Sequence, residues 1–337
     1  MHISIIMATY NGERYLGSQL ESLSQQTLRP YELIVCDDGS TDGTLGLLER
    51  YRNSLPFPVT VYQNSTRLGY VLNFLSHLAQ TTTGDAVAFC DQDDIWLPDK
   101  LATVASYFED PKVMMTIHSG IPVTEDLIPL PGRFPVILKP SRIPQGSPSD
   151  KTLKSFPLGF SLVFRQSVAR AVSTRLLEYP EQDQFWFGHE MPVVLMARAL
   201  GDTILLPNPL VLYRRHQHNV TSGQGLITRD SRAGLQNGPE QYRDFAAHAH
   251  ARSRMLLRLK GGSDETVANF NLEQLARVSE KLSNAMEQRA ILYELPRGPK
   301  RLGKIFSMSL RGAYRARYRG GLGTRSFLKD IWVTLHH

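Results

Sequence analysis

The chain has 337 residues, of which 42% are hydrophobic and 21% charged, a composition typical of folded globular proteins and not of disordered or fibrous ones. No apolar run approaches the ~18 residues that a membrane-spanning helix needs. The formal net charge of +6 is unevenly placed, because residues 291–337 carry ten Lys and Arg against two acidic residues. Such a basic tail favours an anionic partner surface, either phospholipid or nucleic acid.

The cysteines and the first residues indicate the compartment. Cys36 and Cys90 are the only cysteines, and both lie inside apolar runs. We therefore expect two reduced core thiols, and neither a disulfide scaffold nor a cysteine zinc site. The first strand-like run starts almost at Met1, without the basic region, apolar core and cleavage site of a secretory leader. We expect a cytoplasmic chain.

The first half of the sequence alternates strand-like runs with helical periods. Five runs predict strands: Ile3–Ala8, Glu32–Cys36, Val59–Tyr62, Ala86–Cys90 and Val113–His118. Between them, apolar residues three and four positions apart predict helices. This alternation is typical of a parallel or mixed sheet covered by helices on both faces. In such sheets, ligands bind beyond the carboxyl ends of the strands.

The second half changes character along its length. A proline-rich passage over residues 121–157 predicts an irregular loop. Further strands are expected within Thr152–Gln166 and Ile204–Tyr213, and helices over Ser167–Leu177 and Met191–Leu200. After Ser222 the patterns are helical only. We therefore place a boundary near residue 225, with a domain over residues 1–225 and a basic helical region over residues 226–337.

Two polar segments follow the first two predicted strands. Residues 8–12, Ala-Thr-Tyr-Asn-Gly, offer backbone N–H groups and a ring that can stack on a base; an ordinary turn with Asn11 as helix cap is the alternative. Asp37 and Asp38 close the second strand, and one of them could accept a hydrogen bond from a base or a ribose hydroxyl. Asp42 could instead only favour the start of a helix.

A third segment is strongly acidic. Asp91, Asp93 and Asp94 follow an apolar strand within four residues. Packed together, carboxylates repel one another and their pKa values rise. A divalent cation removes that conflict, and Mg²⁺ or Mn²⁺ takes oxygen ligands while keeping positions open for phosphate oxygens. An acidic surface loop is the alternative, but apolar residues on both sides of the segment favour the cation site.

In this order and spacing, the three segments resemble the inverting family-2 glycosyltransferases, strongly over residues 2–110 and weakly over residues 155–220. The resemblance implies an α/β fold of the GT-A type, a Rossmann-like mixed sheet flanked by helices, followed here by a helical C-terminal extension. It also implies sugar transfer from a nucleotide-diphosphate donor with Mg²⁺ or Mn²⁺ as cofactor. Within the family, residues 91–96 are most similar to bacterial rhamnosyltransferases of surface-polysaccharide (O-antigen or capsule) assembly.

The resemblance implies roles for individual residues. The expected donor-binding residues are Ala8, Thr9, Tyr10, Asn11, Asp38, Arg67, Asn73, Asp91, Gln92 and Arg214. The expected metal ligands are Asp91, Asp93, Asp94 and His216. A surface position remains an equal alternative for Arg67, and a strand-end histidine for His216; for His218 the strand-end interpretation is favoured.

The catalytic base is expected at Glu190, in a position where the related rhamnosyltransferases usually carry Asp after His. Asp183 is the substitute candidate, and a plain first-turn role at a helix start is the alternative, since Pro192 suits such a start. Gly159 could let a sugar approach the backbone, or form a simple bulge. Residues 213–219 resemble the Tyr-Arg-x-His-x-x-Asn segment of the rhamnosyltransferases and depart from the Gln-x-x-Arg-Trp of processive members, which favours addition of one sugar.

The expected partners follow from the resemblance. They are a dTDP- or UDP-linked sugar donor, a lipid-linked oligosaccharide or glycan acceptor, and an anionic membrane surface contacted by the basic tail, with no nucleic acid. The enzyme would then be peripheral at the inner face of the cell membrane. For the tail, helices packed on the catalytic domain are the alternative. A nucleotidyltransferase making a nucleotide sugar and a non-catalytic binding module are the rival interpretations.

Overall fold

The computed structural model describes residues 1–147, 157–176, 188–217, 219, 238–260, 266–316 and 319–336. The chain divides into two compact units. The first comprises Met1–Gln145 with Asp150–Ser222, and the second comprises Gly146–Ser149 with Gly223–His337.

The described part of the first unit contains nine strands that form one sheet. They are β1 (Ile3–Thr9), β2 (Glu32–Asp37), β3 (Val59–Gln63), β4 (Ala86–Asp91), β5 (Ile95–Trp96), β6 (Val113–Val123), β7 (Ser141–Ile143), β8 (Leu162–Arg165) and β9 (Asp202–Arg214). The predicted strands of the first half are confirmed, and the closing strand is longer than expected. The helices of this unit are α1 (Glu13–Ser24), α2 (Thr44–Arg52), α3 (Gly69–Thr81), α4 (Lys100–Ala105), α5 (Gln166–Leu176) and α6 (Glu190–Leu200).

The sheet is mixed, as the alternation of elements predicted. Its order is β3-β2-β1-β4-β8-β6-β9-β5, with β7 paired to β9. The strands β3, β2, β1 and β4 run parallel, and so do β6 and β9. Antiparallel pairing joins β8 to β4 and to β6. The parallel half therefore places the carboxyl ends of β1, β2 and β4 at one edge.

The core of this unit follows from alternation along the strands. In β1, Ile3, Ile5 and Met7 are fully buried in one apolar cluster together with Leu16 and Leu20 of α1. Residues two apart in a strand share a face, and residues four apart in a helix share a stripe, so the two surfaces match. Cys36 and Cys90 are free and buried, which confirms the prediction of core thiols.

Within the proline-rich passage, the described residues 121–147 are less irregular than the prolines predicted. Strand β6 continues to Val123 and pairs there with Arg214, and Ser141–Ile143 forms β7. Register shifts between His118 and Ser119 and between Ser119 and Ile121 accompany this extension. The extended pairing of β6 with β9 brings the end of β9 beside the acidic turn after β4, residues 91–94.

The described part of the second unit is helical. Its helices are α7 (Pro239–Leu259), α8 (Thr266–Glu294), α9 (Pro299–Leu310) and α10 (Thr324–His336). Helices α7 and α8 pack antiparallel, since Ser283 Oγ donates to the carbonyl of Ala246 and Ser253 Oγ to that of Ala276. Among the helices described, none is long and apolar enough to cross a membrane.

A buried ion pair ties this helical unit together. Asp330 of α10 is almost fully buried, and its Oδ1 accepts hydrogen bonds from Arg289 Nη2 at 2.6 Å and from the Tyr293 hydroxyl at 2.9 Å. Its Oδ2 accepts a hydrogen bond from the Tyr314 hydroxyl at 2.8 Å. Each carboxylate oxygen is therefore satisfied, which is the condition for keeping a charge buried.

Candidate active site

The ends of β1, β2 and β4 bring the three predicted polar segments together. In the parallel register, Thr9 lies opposite Asp37 and Ala8 opposite Asp91. The chain therefore leaves all three strands at the same edge of the sheet. This is the edge at which α/β folds bind their ligands.

Side chains link the loops at this edge. Gln92 Oε1 accepts the backbone N–H of Tyr10 at 2.9 Å, and Gln92 Nε2 donates to the Tyr10 carbonyl at 3.1 Å. Asn11, at φ 47°, accepts the N–H of Thr41 with its Oδ1 at 2.8 Å and caps no helix. A Cβ at Gly12 would lie 2.2 Å from Gln92 Oε1, so a larger residue there would displace the Gln92 side chain.

Asp38 and Asn73 make hydrogen bonds within the protein. Asp38 is buried and accepts hydrogen bonds from Asn64 Nδ2 and from the backbone N–H groups of Leu68 and Gly69 at 2.7–3.0 Å. Asn73 Nδ2 donates to the Cys36 carbonyl at 2.7 Å. These two predicted donor-binding residues fix the entry into α3.

Arg67 and Tyr10 form the exposed part of this edge. The Arg67 guanidinium lies 3.9 Å from the centroid of the Tyr10 ring, within the range of a cation–π contact. Arg67 itself is exposed. At this edge of the sheet, the Tyr10 ring provides a stacking surface and the Arg67 guanidinium provides a positive charge.

The acidic turn after β4 concentrates negative charge. Burial, together with the charges of Asp93 and Glu190, raises the pKa of Asp91 to about 8. Burial and the charges of Asp93 and Asp91 also raise the pKa of Asp94 well above its usual range. The crowding expected from the sequence is therefore present, and Glu190 of α6 adds to it.

Asp94 and Arg214, predicted as a metal ligand and a donor-binding residue, make hydrogen bonds within the protein. Asp94 is fully buried, and its Oδ1 accepts the backbone N–H of Arg214 at 3.0 Å. The Arg214 guanidinium is also buried: Nε donates to the Asp93 carbonyl at 2.7 Å, and Nη1 donates to the Glu125 carbonyl. Both side chains therefore join β9 to the acidic turn, because buried charges need partners.

His216 lies against the acidic turn. Its Nε2 is 2.7 Å from Asp93 Oδ2, and its ring stacks on Tyr15 with centroids 4.8 Å apart. Asn219 Nδ2 lies 3.4 Å from the same Asp93 oxygen. Tyr15 was not predicted from the sequence, because a tyrosine in the first turn of α1 gives no indication of this stacking.

The predicted set of four metal ligands is not assembled as one group. Among the described residues, no three His, Cys, Asp or Glu side chains are placed to share a metal ion. Asp93 and His216 bond to each other instead, and Asp94 bonds to backbone. Asp91 and Asp94 therefore remain close to other carboxylates, which add to the effect of burial on their raised pKa values.

Lys100 is a charged residue that the sequence analysis also missed. It is fully buried, its Nζ donates to the Phe160 carbonyl at 2.8 Å and lies 3.3 Å from the Trp96 ring centroid. Burial lowers the pKa of Lys100 to about 7, against the attraction of Asp94 and Asp91. In the first turn of an amphipathic helix, a lysine is ordinarily exposed, so the pattern gave no sign of this.

Glu190 begins α6 beside the turn at residues 158–161. Its Oε1 accepts the backbone N–H of Gly159 at 3.0 Å, and its Oε2 lies 3.8 Å from His189 Nδ1. The buried His189 ring stacks on Phe74 with centroids 4.0 Å apart, and neither ring nitrogen has a hydrogen-bond partner among the described residues. A Cβ on Gly159 would lie 2.4 Å from His189 Nε2, which accounts for glycine there.

Two of the predicted candidates lie outside the described residues. Asp183 and His218 both fall in segments that the structure does not describe.

Comparisons with known proteins match this chain to glycosyltransferases. The family model described as "Glycosyl transferase family 2" matches residues 4–173. A Bacillus subtilis (strain 168) protein named as a candidate glycosyltransferase, EpsE, is 33% identical over 149 residues, covering 43% of this chain and 52% of EpsE. The abequosyltransferase RfbV of Salmonella typhimurium is 33% identical over 111 residues, covering 32% of this chain and 33% of RfbV. The matched region thus spans about half of EpsE and a third of RfbV.

The solved structures support the same fold. Staphylococcus aureus TarS 1-349 in complex with UDP-GlcNAc matches with a TM-score of 0.55 at 18% identity, covering 94% of this chain and 93% of that one. The fold is therefore the GT-A fold of glycosyltransferases, as the resemblance implied. Since the family model covers half of the sequence, this chain belongs to glycosyl transferase family 2.

Proposed function

We propose that this protein transfers one sugar from a nucleotide-diphosphate donor to an acceptor hydroxyl, with inversion at the anomeric carbon, in the synthesis of a cell-surface glycan. The proposal rests on two acidic residues that are far apart in the sequence and that interact electrostatically in the fold. Asp91 ends β4 and Glu190 begins α6, and the charge of Glu190 contributes to the raised pKa of Asp91. This electrostatic interaction supports a donor site at Asp91 and a base at Glu190 within one active site.

The donor is proposed to occupy the edge formed by the ends of β1, β2 and β4. Tyr10 would stack on the base, and Arg67, already over the Tyr10 ring, would face the phosphates. The UDP-GlcNAc bound to the TarS structure supports a nucleotide-sugar donor for the same fold. We infer a UDP- or dTDP-linked sugar, with rhamnose as the candidate suggested by residues 91–96.

A divalent cation fits the chemistry of the acidic turn. The turn offers carboxylate oxygens, the ligands that Mg²⁺ and Mn²⁺ prefer. Burial, and after it the charges of neighbouring carboxylates, raises the pKa values of Asp91 and Asp94, and a cation would offset both effects. One buried oxygen, Asp94 Oδ2, has no hydrogen-bond partner among the described residues. Asp91 and Asp93 would hold the cation, which supplies positive charge to offset the charge developing on the departing diphosphate.

Glu190 is proposed as the catalytic base. Its Oε1 is held by the Gly159 N–H, which leaves Oε2 to take the proton of the acceptor hydroxyl as that hydroxyl attacks. Gly159 and His189 then act as positioning residues for the carboxylate. The hydroxyl must approach from the face opposite the leaving diphosphate, so inversion follows.

The acceptor is proposed to be a lipid-linked oligosaccharide or a glycan, with the enzyme peripheral at the inner face of the cell membrane. The segment over residues 213–219 lacks the Gln-x-x-Arg-Trp of processive enzymes, which supports addition of one sugar. A nucleotidyltransferase would need cations for a triphosphate after the first strand, where residues 8–12 carry none.

The test is hydrolysis of sugar nucleotides by the purified protein, since transferases slowly pass the donor sugar to water. We expect Mn²⁺-dependent release of UDP or dTDP from one sugar nucleotide of a panel. Asp91→Asn should abolish release, and Asp126→Asn, at an exposed position, should not. Release that is equal in both variants would contradict the proposal.

A further inference from the structure

The C-terminal segment is rich in basic residues. From residue 295 to residue 337 the sequence holds ten Lys and Arg and one acidic residue, Asp330. Asp330 is only 1% exposed and is paired with Arg289. The exposed basic residues of this segment therefore have no acidic neighbour from the same segment at the surface.

Helix α9 exposes apolar side chains on one face. Phe306 is 60% exposed and Leu310 is 89% exposed. Positions four apart lie above one another on a helix, so these two side chains form one stripe. Ile305 and Met308 are buried and anchor the other face in the helical unit.

Helix α10 repeats this arrangement. Leu328, Trp332 and Leu335 are 64%, 41% and 60% exposed, and their spacings of four and three place them on one face. Asp330 and Val333, on the opposite side, are buried. Arg325 is exposed next to the same apolar face. Helix α10 thus combines an exposed apolar stripe with a flanking basic side chain, and α9 adds a second exposed apolar stripe.

A surface with both exposed apolar and basic side chains favours some binding partners over others. A nucleic acid would pair with the basic residues but would gain little from exposed leucines, because phosphate contacts dominate such binding. A second copy of the chain would cover the apolar stripes but would bring two positive surfaces together. An anionic bilayer satisfies both features, since apolar side chains enter the acyl boundary while basic side chains meet the headgroups.

We infer that α9 and α10 dock on an anionic lipid bilayer, with Phe306, Leu310, Leu328 and Leu335 at the acyl boundary. The inference deepens the proposed function, because it supplies the surface that keeps the enzyme near a lipid-linked acceptor. Membrane docking itself needs neither donor nor acceptor. It can therefore fail or hold independently of sugar transfer.

The test is sedimentation of the full chain with vesicles of phosphatidylcholine and phosphatidylglycerol, compared with vesicles of phosphatidylcholine alone. We expect binding to the anionic vesicles only, weakened by salt. Leu310→Ser and Leu328→Ser should each weaken binding about tenfold, the scale of one buried leucine. Arg325→Gln should weaken it about fivefold.

Matched controls separate docking from unspecific effects. Leu138 is 61% exposed in the first unit, so Leu138→Ser should bind vesicles like the wild type. Wild-type binding by Leu310→Ser and Leu328→Ser would overturn the inference. So would a stable dimer that these substitutions dissociate, or a nucleic-acid complex that leaves vesicle binding undetectable. Donor hydrolysis with Mn²⁺, measured in parallel without lipid, reports on the proposed function alone.

Discussion

Gly159→Ala tests the packing that positions the proposed base. The added Cβ would lie 2.4 Å from His189 Nε2 and 3.0 Å from its Cε1. Since non-bonded heavy atoms prefer about 3.5 Å or more, the ring has to move by about 1 Å. That movement is opposed because the ring stacks on Phe74, with centroids 4.0 Å apart. We expect about 1–3 kcal/mol of destabilisation, the usual cost of overpacking.

Turnover should fall as well. The same turn donates the Gly159 N–H to Glu190 Oε1 at 3.0 Å, and a shift of about 1 Å in a reacting group can cost about 10²-fold. Urea denaturation and donor-hydrolysis kinetics measure the two effects. Gly46→Ala is the control, because a Cβ there meets nothing within 4 Å.

A double variant tests whether contact with the His189 ring causes these effects. Removing the ring leaves room for the methyl group, so Gly159→Ala should cost little stability in a His189→Ala background. If the two substitutions are additive, or if Gly159→Ala alone matches the wild type in stability and turnover, the proposed contact does not constrain Glu190.

The remaining predictions concern the base, the cation and the helical unit. Glu190→Gln should lower turnover by roughly 10²–10⁴-fold while calorimetric donor affinity persists; near-normal turnover would remove Glu190 from its role. Chelation of divalent ions should abolish the thermal shift that the donor produces, and an unchanged shift would argue against a cation-held diphosphate. Asp330→Ala should destabilise the fold by about 3–5 kcal/mol, since Arg289 is left buried and unpaired. Glu280→Ala, which removes a more exposed pair with His250, should change stability by less than about 1 kcal/mol in the same denaturation assay.

The sheet was predictable because its signals are local. Each strand of the parallel half is a short apolar run, and the polar residues that follow it mark the edge where ligands bind. Strand β6 was underestimated, because Pro122 suggested a loop where a bulged strand continues to Val123. Proline weakens a strand signal, while pairing with β9 is a long-range property.

The side-chain roles were predictable only in part. A carboxylate after a strand was recognised as a site residue, but whether it faces a ligand or the protein depends on partners far along the chain. Asp94 is used by the backbone of Arg214, and Lys100 is buried against Trp96 and the Phe160 carbonyl. Such pairings arise from tertiary packing, so no local sequence pattern predicts them.

The most direct test of the account is a crystal structure with UDP and Mn²⁺, using anomalous scattering to locate the manganese. We expect a manganese peak at the carboxylates of Asp91 and Asp93, in contact with the diphosphate, and the uracil ring beside Tyr10. Nucleotide bound away from the ends of β1, β2 and β4, with no manganese at the turn after β4, would contradict it.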